Sequence, residues 1–270
     1  MEVNQIVCID ALKGLVSIPD KTVTLVVTSP PYAKIRKSYS GPSAIQFVNW
    51  FLPFAKEVLR VLKDDGSFII DIQDQVENGE RIPYAFELTL RMRDLGFKYI
   101  DTIIWAKKNG AKTAGRRRSN YFEYILHFSK TVQPIWNPDS IRAPYAATSV
   151  TRAKKPIKQN VSNKESRSQT LVEYKEWKLH PMGAFPKNVI YFPKDPGKSG
   201  HPAPFHIDLP THFIKAHSNE NDLILDIFAG KGTTCQAAKN LNRKYLGFEI
   251  KQEYIEIAKK EYGLESKTWP

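Results

Sequence analysis

The sequence predicts an α/β fold: a largely parallel sheet covered by helices on both faces, with one region inserted into it. Three observations predict it. Short apolar runs alternate with stretches of helical apolar spacing, both before residue 131 and after about residue 203. Two of those runs, "QIVCID" (5–10) and "DLILDIFAG" (222–230), carry an acid at or near their end, and the second runs into a glycine turn. Between residues 131 and about 200 the rhythm stops, in a segment rich in Pro, Lys, Arg, Ser and Asn with scattered aromatics.

Element by element, "QIVCID" reads as a strand, "ALKGLVSIPD" as a short helix and loop, and "TVTLVVTS" as the next strand. Residues 43–63 place Phe47, Trp50, Phe51, Phe54, Val58 and Leu62 at helical spacing. "DDG" turns the chain into the strand "SFIIDIQD", and 82–96 reads as a helix stopped at Gly96. "FKYIDTIIWAK" and "NYFEYILHFSK" are two further strands. After the insertion, 205–218 is a helix, "DLILDIFAG" a strand, "TTCQAAKNLN" a helix, "KYLGFEI" a strand, and a final helix ends at Gly263. Strands alternating with helices imply a parallel sheet buried on both faces.

The 270 residues are 41% hydrophobic and 11% aromatic, enough for a packed core. No apolar run approaches the ~20 residues of a membrane span. The start, "MEVNQIVCID", has neither a basic segment nor a long apolar one, so a cytoplasmic protein is expected. Cys8 and Cys235 form no metal-ligand spacing and read as buried thiols; no metal is expected. The net charge of +12 points to a polyanionic partner. It is clustered: residues 107–118 carry six basic side chains and no acid, and 151–167 carry six against one. Two such runs flanking a strand favour a phosphate track on nucleic acid over a merely solvated surface.

"LILDIFAGKGTT" fails as a P-loop, because Leu225 stands five before Gly230 and Gly232 follows Lys231. It lacks the third glycine of a dinucleotide fingerprint. Yet an acid, Glu249, ends the next strand, where it can accept from ribose hydroxyls. A nucleoside pocket at adjacent strand ends, with glycines admitting the ligand close to the backbone, fits S-adenosylmethionine.

Three stretches together, TSPPY (28–32), DIFAGKGTT (226–234) and GFEI (247–250), resemble the β-class DNA amino-methyltransferases in composition and in order along the chain. Ile227 stands where that family usually has proline. The resemblance implies a Rossmann-like, circularly permuted S-adenosylmethionine-dependent sheet formed by 1–130 and 200–270, with 131–199 as the target-recognition region. It implies that Asp226, Phe228, Ala229, Gly230 and Gly232 line the methionine end of the cofactor. Thr233 and Thr234 would cap the helix and meet the carboxylate, and Glu249 would hold the ribose. Asp10 would accept from the adenine amine, with Pro204 and Phe205 closing over the methionine.

The catalytic corner would be Ser29, Pro30, Pro31 and Tyr32. An exocyclic amine is a poor nucleophile, because its lone pair is delocalised into the ring, and the base must be flipped out of the duplex. Ser29 Oγ and the Pro30 carbonyl can accept from that amine, held in place by the stiff Pro-Pro pair, while Tyr32 stacks on the base. Tyr121 or Phe122 would supply a second aromatic. In the family, serine at the first position mostly accompanies cytosine N4 and aspartate adenine N6, so Ser29 favours N4-cytosine over adenine. Double-stranded DNA is the expected partner, met by Arg116, Arg117, Arg118, Lys154, Lys155 and Lys158. A restriction endonuclease acting on the same site would complete a restriction-modification system. An RNA or protein amide methyltransferase, and a non-catalytic DNA-binding protein that kept the fold, are the rival readings.

Overall fold

The computed structural model describes residues 2–33, 41–111, 117–155, 157–162, 170–175, 178–193 and 205–268. In chain order the elements are β1 (Gln5–Cys8), α1 (Ala11–Val16), β2 (Val23–Thr28), α2 (Phe47–Val61), β3 (Leu62–Ile72), β4 (Gln75–Glu77), β5 (Glu80–Ile82), α3 (Tyr84–Asp94), β6 (Lys98–Ala111) and β7 (Asn120–Ser129). They continue with α4 (Ala147–Ala153), β8 (Ile157–Ser162), β9 (Thr170–Lys175), β10 (Val189–Ile190), α5 (Asp208–His217), β11 (Leu223–Asp226), α6 (Thr233–Asn240), β12 (Lys244–Glu249), α7 (Gln252–Tyr262) and β13 (Ser266–Thr268).

Nine strands form one sheet in the order β10-β6-β7-β3-β2-β11-β12-β1-β13. Every pairing in it is parallel except those of β7, which runs antiparallel to both β3 and β6. The alternation of side chains along a strand sorts the core onto two faces. In β3, Phe68, Ile70 and Ile72 join Phe47, Phe51, Tyr84 and Leu88 of α2 and α3. Ile69, between them, joins Phe213, Ala237 and Ile255 of α5, α6 and α7. The largely parallel, two-faced sheet expected from the sequence is therefore the one observed. The predicted helices at 43–63, 82–96 and 205–218 shorten to α2, α3 and α5.

The chain divides into two compact units, residues 138–187 and the remainder. The first lies inside the predicted insertion, 131–199, and is smaller than it. Residues 131–137 stay with the sheet unit because Ile135 N–H donates to Asp65 O at 3.0 Å and Asn137 N–H to Ala216 O at 2.8 Å. Residues 188–190 stay because β10 extends the sheet beside β6. The unit 138–187 is more regular than its composition suggests. It holds α4 and a hairpin, β8–β9, whose antiparallel ladder satisfies the backbone of two short strands without a long apolar run.

Candidate active site

β2 and β11 lie side by side and parallel, with Leu25 opposite Ile224 and Val26 opposite Leu225. The chain leaves β2 toward β3 and leaves β11 toward β12, in opposite directions across the sheet. Such a reversal opens a crevice at the carboxyl ends of the two strands. Both motifs of the sequence arrive there: Ser29 to Tyr32 follow β2 directly, and Asp226 ends β11.

A hydrogen bond ties the two motifs together. Thr28 Oγ1 donates to Asp226 Oδ1 at 2.7 Å, and both residues are buried. Asp226 also accepts from Phe228 N–H at 3.1 Å. Burial pushes its carboxyl up to about 6, against the Thr28 and Thr234 hydroxyls and the Phe228 amide, which favour the anion. Phe228 stacks on Trp50 of α2 at 5.7 Å between ring centroids.

The glycine turn is shaped for closeness. Gly230 and Gly232 have φ of 52° and 80°, the left-handed region where glycine is unstrained. A Cβ on Gly232 would lie 2.6 Å from Ile6 Cδ1. Gly232 itself caps α6, without a side-chain hydrogen bond. The expectation that Thr233 and Thr234 cap the helix is thus corrected. They are its first two residues, buried in its first turn, because the left-handed glycine has already turned the backbone. Glu249 braces the turn from β12: its Oε2 accepts from Gly230 N–H at 2.8 Å and its Oε1 from Lys251 N–H at 2.9 Å. Burial raises the Glu249 carboxyl, and those amides pull it back. Lys231 turns inward to Glu261 of α7 at 3.2 Å.

Asp10 follows β1, whose Cys8 is the register partner of Glu249, so the N-terminal acid stands beside the C-terminal one. Its Oδ1 caps α1, accepting from Leu12 and Lys13 N–H at 3.0 and 3.2 Å. Phe205 is partly buried against the α5–α7 face, and Ala229 is buried there. Pro204 lies outside the described residues.

Around the corner itself the structure gathers residues that motif reading passed over. Tyr32 Oη donates to Glu123 Oε2 of β7 at 2.7 Å. Glu123 Oε1 accepts from Lys107 Nζ of β6. Asp71, near the end of β3, is fully buried beside Ser29 and Lys107. Burial pushes its carboxyl up to about 7, against the Lys107 charge and the Ser29 hydroxyl. Asp71 had a legible signal, an acid inside the apolar run "SFIID". Glu123 had the same signal inside "NYFEYIL". Lys107, read as the first member of a phosphate track, is instead turned into this ion pair and is only 11% exposed.

Of the two aromatics expected against the base, Tyr121 shares the parity of Glu123 on β7 and is exposed. Phe122 points to the other face, edge-on to Tyr124 at 5.1 Å. Arg117 and Arg118 are exposed, with Arg117 also donating to Gly79 O. Arg116 lies outside the described residues. Lys154 and Lys155 are exposed at the end of α4, and Lys158 sits on β8 opposite Tyr174.

Comparison with known proteins supplies the context for this arrangement. Residues 23–260 match a family described as DNA methylase, of the N6/N4 type. The type II methyltransferase M.PvuII of Proteus hauseri is 31% identical over 91% of this chain and 80% of its own. The solved PvuII DNA methyltransferase, titled cytosine-N4-specific, superimposes with a TM-score of 0.72 at 26% identity, over 96% of this chain and 86% of that one. The DNA adenine methyltransferase YhdJ of Escherichia coli K12 is 28% identical over 95% of this chain and 81% of its own. The Thermus thermophilus protein TTHA0409, in complex with S-adenosyl-L-methionine, shares the fold with a TM-score of 0.67 at 24% identity, over 98% of each chain.

Proposed function

The chain belongs to the N6/N4 DNA methylase family, and on that footing we propose that it methylates the exocyclic N4 of cytosine in a short duplex sequence. The observation that carries the choice of base is Ser29. A neutral hydroxyl stands at the first position of the corner, and the PvuII structure that the chain resembles is titled cytosine-N4-specific. The enzyme is a methyltransferase that uses S-adenosyl-L-methionine, which when bound supplies an electrophilic methyl on a sulfonium centre.

The residues present fit that cofactor. Gly230 and Gly232, both in the left-handed region, turn the backbone tightly at the end of β11, and the carboxylates of Asp226 and Glu249 are fixed by backbone amides at neighbouring strand ends. Asp226, Phe228, Ala229, Gly230, Gly232, Thr233 and Thr234 would hold its methionine end. Glu249 would hold the ribose, Asp10 the adenine amine, and Pro204 with Phe205 would cover it. At the base, Ser29 Oγ and the Pro30 carbonyl accept from the target amine, drawing its nitrogen toward tetrahedral geometry. The Pro-Pro backbone holds the carbonyl fixed, so no reorganisation accompanies transfer. The carboxyl of Asp71 beside Ser29 orients the hydroxyl. Tyr32 stacks on the flipped base, and Tyr121, on the Glu123 face of β7, is the better placed of the two second aromatics.

Residues 138–187 are the target-recognition unit in this reading. They carry ten Lys and Arg against four Asp and Glu, half of the net charge of +12. Arg116 to Arg118, Lys154, Lys155 and Lys158 neutralise phosphates. The bacterial relatives that are named type II methyltransferases support a role as the modification partner of a restriction endonuclease in a bacterial cytoplasm.

Incubation with duplex DNA and isotopically labelled S-adenosylmethionine, followed by digestion to nucleosides, tests the base. N4-methylcytosine is expected. N6-methyladenine as the sole product would reassign the chain to the activity named for YhdJ.

A further inference from the structure

We propose that Glu123 and Lys107 form a clamp that fixes the Tyr32 ring in the orientation in which it meets the target base, and that both are positioning residues for methyl transfer. The inference rests on the reading of Tyr32 as the stacking ring.

The Pro30-Pro31 pair stiffens the backbone leading to Tyr32 but leaves the two side-chain torsions of the tyrosine unset. Tyr32 follows β2 outside any helix or strand and is half-buried. Its far end is held by the 2.7 Å hydrogen bond from Oη to Glu123 Oε2. With its oxygen committed at the ring edge, the residue offers the base a fixed face.

Glu123 is itself held. Its side chain is only 9% exposed, and its other carboxylate oxygen accepts from Lys107 Nζ. Lys107 lies over the Trp105 ring, 4.7 Å from the centroid. Trp105 is the cross-strand partner of Glu123, and its indole N–H donates to Phe192 O at 3.1 Å. The chain of contacts thus runs from Tyr32 across β7 and β6 to the segment after β10, with its central members on paired strands. A buried ion pair of this kind contributes little net stability. Its position at the catalytic corner, with the tyrosine hydroxyl as its third member, is what positioning explains. Residues that act as one unit lose function together rather than additively.

The test is a kinetic cycle on unmodified plasmid DNA with labelled S-adenosylmethionine, using wild type, Y32F, E123Q, Y32F/E123Q, K107M and K107R. Y32F keeps the ring and loses the tether; E123Q keeps the shape and loses the charge. Each is expected to lower kcat about tenfold with KM for S-adenosylmethionine near wild type; Y32F should also leave Tm near wild type, whereas E123Q lowers Tm because it leaves Lys107 buried without its partner charge. The double variant should be no slower than either single one, and K107R should recover most of what K107M loses. If E123Q does not fold, E123Q/K107M removes both charges together, and Y32F should then have no further effect in that background. Wild-type kcat in E123Q, or a double variant slowed by the product of the two single effects, would overturn the clamp while leaving the methyltransferase reading intact. A wild-type chain that methylates no DNA would overturn that reading and the clamp with it.

Discussion

Replacing Asp71 by asparagine should stabilise the fold at alkaline pH while slowing methylation. Asp71 is buried at the end of β3, and burial raises its carboxyl from the usual 3.8 to about 7. Between those two values the folded chain holds a proton that the unfolded chain has released. The stabilising contribution is therefore complete below about pH 4 and is lost as pH rises through 7. Applying the linkage relation to that shift, ionisation of Asp71 withdraws roughly 2–3 kcal/mol between pH 5 and pH 8. Asparagine keeps the volume and has nothing to ionise. In urea unfolding at pH 5, 6, 7 and 8, Asp71→Asn should gain that amount over wild type across the series, and comparison at each pH cancels every other titrating group. The same variant should turn over more slowly at pH 8, because the carboxyl beside Ser29 is gone. A stability difference that stays constant from pH 5 to 8 would refute the account of its burial. A stabilised variant with wild-type kcat would remove Asp71 from the active site.

Three further outcomes follow from the same geometry. Thr28→Val removes a buried 2.7 Å hydrogen bond to the Asp226 carboxyl, which should cost roughly 1.5–3 kcal/mol in chemical denaturation and raise the Asp226 carboxyl above about 6. Calorimetry should then show S-adenosylmethionine binding that weakens as pH falls from 8 to 6, where wild type changes little. Gly232→Ala places a Cβ at φ 80° within 2.6 Å of Ile6 Cδ1; a loss of about 1–3 kcal/mol and of cofactor binding is expected, measured by thermal shift with and without S-adenosylmethionine. His217 is buried against His127 and Trp136, and burial lowers its ring to about 4. Its folded value lies below its unfolded one, so stability should fall by about 3 kcal/mol as pH drops from 6.5 toward 4, seen as a declining urea midpoint that is shallower in His217→Phe.

The sequence carried the sheet well because parallel strands buried on both faces are near-continuous apolar runs, as in "TLVVT" and "LILD". It carried the two motifs because they are local: TSPPY and DIFAGKGTT each lie within nine consecutive residues. What lay beyond it was pairwise and long-range. Thr28 and Asp226 are 198 positions apart, and Tyr32 and Glu123 are 91 apart. No periodicity records such partners. Lys107 shows how composition misleads. In a run of six basic residues it has the signature of a phosphate contact, yet the alternation of β6 turns it toward Glu123 and Trp105. The β8–β9 hairpin was hidden for the opposite reason, since β8 is mostly polar and the apolar alternation of β9, Val172 and Tyr174, is too short to stand out in a basic, polar segment.

These long-range contacts share a location and a type. Each is a polar or charged group at a buried or nearly buried position, Thr28, Asp226 and Glu249 at strand ends and Glu123 and Lys107 within β7 and β6, where apolar residues would contribute more to folding. Thr28 joins the strand that carries the catalytic corner to the acid of the glycine turn, and Glu249 joins that turn to the next strand. Glu123 and Lys107 join the corner to the antiparallel strands at the other side. The corner is thereby anchored on both flanks, toward β11 by Thr28 and toward β7 by Tyr32. Methyl transfer to an amine requires donor and acceptor held in line within a narrow tolerance. Two prolines alone fix a backbone. The flanking side chains fix its orientation relative to the neighbouring strands, so loosening either flank should lower kcat.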